Sequence, residues 1–372
     1  MVYWHLSLSE LVTVPVAISF LITFFFVPLT VKVAKARGIV ARENGRTSHK
    51  GSIPTMGGLA VFSGFYISVL IFVNDVNFRE LNTILAGSFL ILLSGMKDDM
   101  IGISWQKKLF IQFLAGCLMI FWADIRLSNL QGFFGIYEIN MGWSVALTLL
   151  TIVGLTNCFN LIDGIDGLAS GLGGLSLVTM GICFWFTGHI ELAQISFILV
   201  AALIAFIPFN LYGKSNKIFM GDTGSLTLGF IISVMIIKFN QVLPGTGSSF
   251  AFTALPALSI AIVFIPLFDT LRVFIIRICK RKNPFSPDKI HTHHVFLGLG
   301  LSHGQTSLVL VGLNLGFILL AFFSAQLGTT ILLFILFLSG IVIFSVPCAR
   351  LRRKQQKKEE IRIRNSELRI RN

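Results

Sequence analysis

The sequence predicts an all-α fold, a polytopic transmembrane helical bundle of about eleven spans with the amino terminus outside and the carboxyl terminus cytoplasmic. Three observations predict it. Hydrophobic residues make up 54% of the 372 and charged residues 13%, with a mean hydropathy of +0.82, which leaves too little charge to cover a soluble protein of this size. Apolar runs of roughly 20 residues recur throughout, the length a helix needs to cross about 30 Å of hydrocarbon at 1.5 Å per residue. They lack the period-2 alternation of membrane barrel strands. The basic residues, finally, gather in alternate loops.

Run length places the spans near residues 9–31, 55–73, 81–97, 106–123, 143–159, 168–187, 192–212, 223–239, 250–278, 306–326 and 328–347. The first run has no basic segment before it and ends at Lys32, Lys35 and Arg37. That is the order of a retained span entering the cytoplasm, not of a cleaved signal peptide. Residues 1–349 read as one integral membrane domain with cytoplasmic catalytic loops, and 350–372 as a basic cytoplasmic tail that carries no motif. Cys117, Cys158, Cys183, Cys279 and Cys348 have no zinc or disulfide spacing and read as small apolar fillers.

With the amino terminus outside, only Arg79, Arg126 and Lys238 of the 30 Lys and Arg residues fall outside, so the net charge of +13 lies on one face. An error of one span would scramble that split. The charge is accounted for by topology and by attraction to anionic lipid, and no nucleic-acid partner is expected. Of the aspartates, Asp98, Asp99, Asp163, Asp166, Asp222, Asp269 and Asp288 share this basic face, with only Asp75 and Asp124 on the other. Carboxylates at a membrane boundary are costly unless paired, hydrated or bound to a cation, so the clustering suggests a site for phosphate and metal together.

Four cytoplasmic segments carry the chemistry. In Lys97–Lys108 the adjacent Asp98 and Asp99 cannot both ionise comfortably without a cation; they read as a metal or proton-transfer pair, or as a helix cap. In Asn157–Leu168, Asn157, Asn160, Asp163 and Asp166 recur every three residues, with Gly164 and Gly167 between them. Such a row can read a base or sugar by hydrogen bonds and exceeds what two helix caps need. Phe219–Ser225 opens a span with Asp222 between glycines, either an N-cap or a carboxylate open to an ion. The loop from Arg277 to His303 brings His291, His293 and His294 together. No cysteine or spaced carboxylate completes a zinc site there, and imidazoles among basic residues suit a phosphate or sugar.

In this order and combination the segments resemble the polyprenyl-phosphate N-acetylhexosamine-1-phosphate transferase superfamily, over roughly residues 46–305. Ser48–Gly58 also matches a family segment, with Met56 where Arg is common. Pro284–Asp288 leading into His291-Thr292-His293-His294 looks like the bacterial undecaprenyl-phosphate branch that uses UDP-N-acetylglucosamine.

The resemblance implies transfer of N-acetylglucosamine 1-phosphate from UDP-N-acetylglucosamine to undecaprenyl phosphate with release of UMP. That step would start a lipid-linked cell-envelope polysaccharide at the cytoplasmic face of the bacterial inner membrane. It implies Mg²⁺, with Mn²⁺ as the substitute ion, held by Asp222 and Asp99. Asp98, Asp99 and Asp222 would be catalytic, Asp98 taking the proton from the lipid phosphate, with Lys50 and Lys108 adding positive charge. Asn157, Asn160, Asp163 and Asp166, with Phe219 stacking and Asn210 close by, would hold the uridine. His291, His293 and His294 would face the diphosphate and sugar. The partners implied are the two substrates and the lipid bilayer, and a homodimer is compatible with them. Two readings stay open beside it: the same chemistry with another UDP-amino sugar or UDP-N-acetylmuramoyl-pentapeptide, and a transporter of a nucleotide-sugar or anion. The absence of an internal repeat and of mid-span charge speaks against the transporter.

Overall fold

A computed structural model describes residues 8–40, 53–73, 78–241, 254–281 and 290–371. The chain forms α1 (Leu8–Ala36), α2 (Gly57–Phe72), α3 (Phe78–Ile101), α4 (Trp105–Ala123), β1 (Asn129–Phe133), β2 (Ile136–Glu138), α5 (Met141–Ile162), α6 (Leu168–Phe186) and α7 (Ile190–Leu211). It continues with α8 (Gly221–Gln241), α9 (Leu255–Ile262), α10 (Phe264–Cys279), α11 (Thr292–Leu299), α12 (His303–Phe323) and α13 (Thr329–Arg371).

Each of the eleven apolar runs carries helix. Among the described residues seven helices, α1, α5, α6, α7, α8, α12 and α13, are long and apolar enough to cross a membrane, and eight if α9 and α10, bent by 79° at their junction, form one span. The difference from eleven has a physical source. Helix α2 has 16 residues, while α3 and α4 hold Arg79, Glu80, Lys97, Asp98 and Asp99, and Lys107 and Lys108, inside their ends. Only a short apolar middle remains in each. The chain is thus a multi-pass membrane protein.

Helix α8 is the axis of the bundle, with 89% of its apolar window buried, whereas the windows of α1 and α13 are 22% buried and face outward. Close packing around α8 depends on small residues, as helix association without water does. A Cβ added to Gly58 of α2 would lie 2.2 Å from the backbone of Gly224.

The helix ends sort onto two faces. On one, Glu80 and Lys238 pair at 2.7 Å and the antiparallel β1–β2 hairpin docks on α13, where Thr330 accepts the Phe134 N–H at 2.9 Å. This hairpin was not legible in the apolar pattern. On the opposite face the ends of α3, α5, α7 and α10 meet the starts of α4, α6, α8 and α12. The boundary expected at residue 349 falls inside α13, whose 43 residues span about 65 Å at 1.5 Å per residue, twice a bilayer core.

Candidate active site at one face of the bundle

The four motif segments converge where these helix ends meet. Asp98 and Asp99, both in the last turn of α3, point to different partners. Asp99 turns to α8: its Oδ1 accepts the Asp222 N–H at 3.0 Å, and its Oδ2 accepts the Thr223 N–H at 2.9 Å and the Thr223 hydroxyl at 2.6 Å. A carboxylate from a neighbouring helix thereby satisfies first-turn amides of α8 at the positive end of its dipole. Asp98 accepts the Ile103 N–H at 2.7 Å and Lys108 Nζ at 2.6 Å. The same ammonium also donates to Asp222 Oδ2, so Lys108 bridges two carboxylates. Asn160 completes the set, donating to Asp222 Oδ1 at 3.0 Å and to Ser225 Oγ at 2.9 Å. Asp98, Asp222 and Lys108 keep 17, 25 and 20% of their side-chain surface exposed, which leaves the bridge open to a ligand.

The donor set suits a hard divalent cation. Among the described residues no three His, Cys, Asp or Glu side chains form a cage; an ion such as Mg²⁺ keeps several waters and takes one or two carboxylates together with substrate phosphates. Asp98 and Asp222, already gathered around a cationic ammonium, are the pair that fits. Asp99, expected beside Asp222 as a second ligand, sits at the start of α8 with its oxygens accepting the Asp222 and Thr223 N–H groups and the Thr223 hydroxyl.

The α5–α6 turn supplies the next group. Asn157 lies one turn earlier and donates to Gln112 Oε1 at 2.6 Å and Val153 O at 2.7 Å. Loss of water around Asp163, and then the charges of Asp222, Asp99 and Asp166, push its carboxyl well above the usual range. Asp166 goes the other way. Burial alone would raise it, but the hydrogen bonds and charges of His303 and Lys217 hold it below the usual range, with Lys217 Nζ at 2.8 Å and His303 Nδ1 at 3.4 Å. Asn210 is a fastener: it accepts the Gly167 N–H at 2.6 Å and donates to Ile218 O at 2.9 Å, tying this turn to the approach to α8. Phe219, half-buried, is fixed through its backbone, donating to Pro54 O and accepting the Gly57 N–H, both at 2.9 Å.

The histidines enter from α11. His291 Nδ1 lies 2.8 Å from Asp269 Oδ2, and Asp269 Oδ1 accepts both the N–H and the hydroxyl of Thr292. Arg272 closes the arrangement, donating to Asp269 Oδ1 at 3.2 Å and to Ile290 O at 2.6 Å. His293 is 2% exposed and packs onto the α5–α6 turn, where a Cβ on Gly164 would lie 2.5 Å from its Nε2. Burial first, and then the charge of His294, push the His293 imidazole down to about 3, so it is neutral at physiological pH. The rings of His291 and His293 stack at 5.7 Å, and His294 follows 4.3 Å from His293. Gly164 therefore joins the histidine segment to the Asn-Asp segment, and Asp163 in turn feels Asp222.

Lys50 and the Asn283–Asp288 stretch lie outside the described residues. Two groups that hold the site together, Lys217 and His303, had no role in the sequence reading, and a third, Asp269, was counted among the clustered aspartates but given no partner. For Asp269 a signal existed, since an aspartate three residues before Arg272 in an apolar run needs a partner. Lys217 and His303 have no local pattern to mark them, because their common partner, Asp166, is distant in sequence.

Comparison with known proteins gives the family. A family profile described as glycosyl transferase family 4 matches residues 81–240. An undecaprenyl-phosphate alpha-N-acetylglucosaminyl 1-phosphate transferase of Salmonella typhi is 33% identical over 302 residues, covering 80% of this chain and 78% of its own. The enzyme of that name from Escherichia coli K12 is 34% identical over 289 residues, 77% of this chain and 76% of its own. A probable undecaprenyl-phosphate N-acetylglucosaminyl 1-phosphate transferase of Bacillus subtilis is 33% identical over 342 residues, 90% of each chain.

Proposed function

Since the chain belongs to glycosyl transferase family 4, and so is a membrane phosphotransferase, we propose that it transfers N-acetylglucosamine 1-phosphate from UDP-N-acetylglucosamine to undecaprenyl phosphate, releasing UMP. The product would begin a lipid-linked cell-envelope polysaccharide. The observation that carries this reading is the Lys108 bridge between Asp98 and Asp222 at a membrane-face junction that also gathers Asp163, Asp166 and the histidines. A diphosphate set between a nucleoside pocket and a lipid phosphate needs this combination of fixed cation, carboxylates and hydrogen-bond donors.

In this mechanism an oxygen of the lipid phosphate attacks the sugar-linked phosphorus, and the bond from that phosphorus to the bridging oxygen of UMP breaks. Asp98 takes any proton on the attacking phosphate at its carboxylate. Lys108 holds Asp98 and Asp222 in register and offsets charge as it moves from attacking to leaving oxygen. Mg²⁺, or Mn²⁺ in its place, would supply further charge neutralisation, with Asp222 and Asp98 holding it. Asp99 keeps Asp222 oriented through the backbone of α8. The uridine would lie by Asp163, Asp166 and Phe219, with Lys50 near the phosphates. His293, neutral, would present its ring to the sugar beside His291 and His294.

The site would face the cytoplasm of a bacterial inner membrane. With α2, α3, α4 and the bent α9–α10 pair counted, eleven spans put the amino terminus outside and the tail inside, and the positive-inside split supports that orientation. Purified protein in detergent, given undecaprenyl phosphate, Mg²⁺ and UDP-N-acetylglucosamine, is expected to release UMP. Release of UDP would mean cleavage of the glycosidic bond and would overturn the mechanism. UMP released only with a different UDP-amino sugar would change the donor alone.

A further inference from the structure

We infer that Lys354 is a positioning residue for the histidine helix α11, and that the first turns beyond residue 349 belong to the working site. The inference rests on the reading of α11 as the element facing the diphosphate and sugar. Helix α11 has only eight residues, too few to be stable in isolation, so its placement depends on what holds its two ends. Its amino-terminal end is held by Asp269, through His291 and Thr292. Its carboxyl-terminal end is held by α13: Lys354 Nζ donates to Gly298 O at 3.1 Å and to Leu299 O at 2.9 Å. An ammonium on those last carbonyls both satisfies them and meets the negative end of the helix dipole.

Two further contacts make this a docked surface. Leu351 lies against Gly298 so closely that a Cβ there would come within 2.8 Å of its Cδ1. Cys348, one turn earlier, approaches Arg272 Nη1 at 3.7 Å, and Arg272 is the residue that fastens Asp269 and Ile290. One face of α13, from Cys348 to Lys354, therefore meets the carboxyl-terminal end of α11 directly and the segment before its amino-terminal end through Arg272. The sequence alone made everything after 349 a motif-free basic tail; its first turns are the part that docks on α11.

The test uses three proteins purified in detergent beside the full-length parent: Lys354→Met, Lys354→Arg and a chain ending after Gln356. Amide hydrogen exchange over residues 291–301 is read without substrate, and KM and kcat are read for each substrate. In Lys354→Met, exchange should quicken and KM for UDP-N-acetylglucosamine should rise, each about threefold, as loss of a cation at a helix terminus implies. KM for undecaprenyl phosphate should stay where it was. Lys354→Arg should restore both quantities, and the chain ending after Gln356 should match the parent. Unchanged exchange in Lys354→Met would overturn the inference, as would a fall in kcat with no change in KM for the nucleotide sugar. A parent that does not turn over UDP-N-acetylglucosamine would sink the proposed reaction, and the exchange result would still decide whether Lys354 holds α11.

Discussion

Asp99 holds the backbone of Asp222, its Oδ1 accepting the Asp222 N–H at 3.0 Å while its Oδ2 takes the amide and hydroxyl of Thr223. Two aspartates 123 residues apart are thus parts of one device, a helix start oriented by a cap from its neighbour. Removing an N-cap carboxylate costs on the order of 1–2 kcal/mol. Asp99→Ala should therefore lower both the thermal midpoint in detergent and the turnover. Asp99→Asn, which keeps an acceptor for the Asp222 amide, should recover part of the midpoint. An unchanged midpoint in Asp99→Ala would refute the capping role.

Asp222→Asn tests the chemistry at the other end of that device. The amide keeps an oxygen for Asn160 but loses the negative charge that Lys108 and a divalent cation would meet, so folding should survive while UMP release falls by at least about a hundredfold. Near-normal turnover with a normal midpoint would show that Asp222 is not the essential carboxylate. Asp98→Asn should lower kcat more than it raises KM for the nucleotide sugar, since Asp98 is assigned to the attacking phosphate.

Much of this was legible before any coordinates. Each apolar run became a helix because hydrocarbon thickness sets a length that survives in the sequence, and the aspartates sat where acidic residues near a membrane are hard to explain without function. What stayed hidden was partnership. Spacing could not distinguish Asp99 as cap from Asp99 as metal ligand, since a cap donated from another helix leaves no local trace. The same holds for Asp269 under His291, for Lys217 and His303 on Asp166, and for Lys354 at α11. The β1–β2 hairpin escaped because five- and three-residue strands are too short to set a period against the long apolar runs around them.

His293 gives a pH prediction. Its folded-state value of about 3 lies below the ordinary 6.5, so between those limits the unfolded chain binds the extra proton. Its contribution to stability is present in full above about pH 6.5 and is lost as pH falls toward 3. His293→Gln should flatten the decline of the thermal midpoint between about pH 6.5 and 4.5 relative to the parent, though its midpoint at pH 7.5 will be lower. Parallel declines in the two proteins would mean that His293 does not titrate in this range.

Orientation can be read from two engineered cysteines. Tyr137 lies on the β1–β2 hairpin, at the end of the bundle that carries Glu80 and Lys238, and Gln355 lies on α13 beyond the opposite end; both side chains are exposed. In a protein whose native cysteines are replaced, a membrane-impermeant thiol reagent added to intact cells should label Tyr137→Cys and miss Gln355→Cys until the cells are opened. The physical ground is the charge split: the eleven-span order assigns only Arg79, Arg126 and Lys238 of the 30 basic residues to the hairpin side, and basic residues are retained on the cytoplasmic side. The proposed chemistry imposes the same orientation, because a UDP-sugar is a cytoplasmic metabolite and Asp98, Lys108 and Asp222 open on the Gln355 side. The reverse pattern would place the site outside, where its donor is not made. Labelling of both cysteines in intact cells would require an even number of crossings between residues 137 and 355, against the odd number that the eleven-span order assigns there.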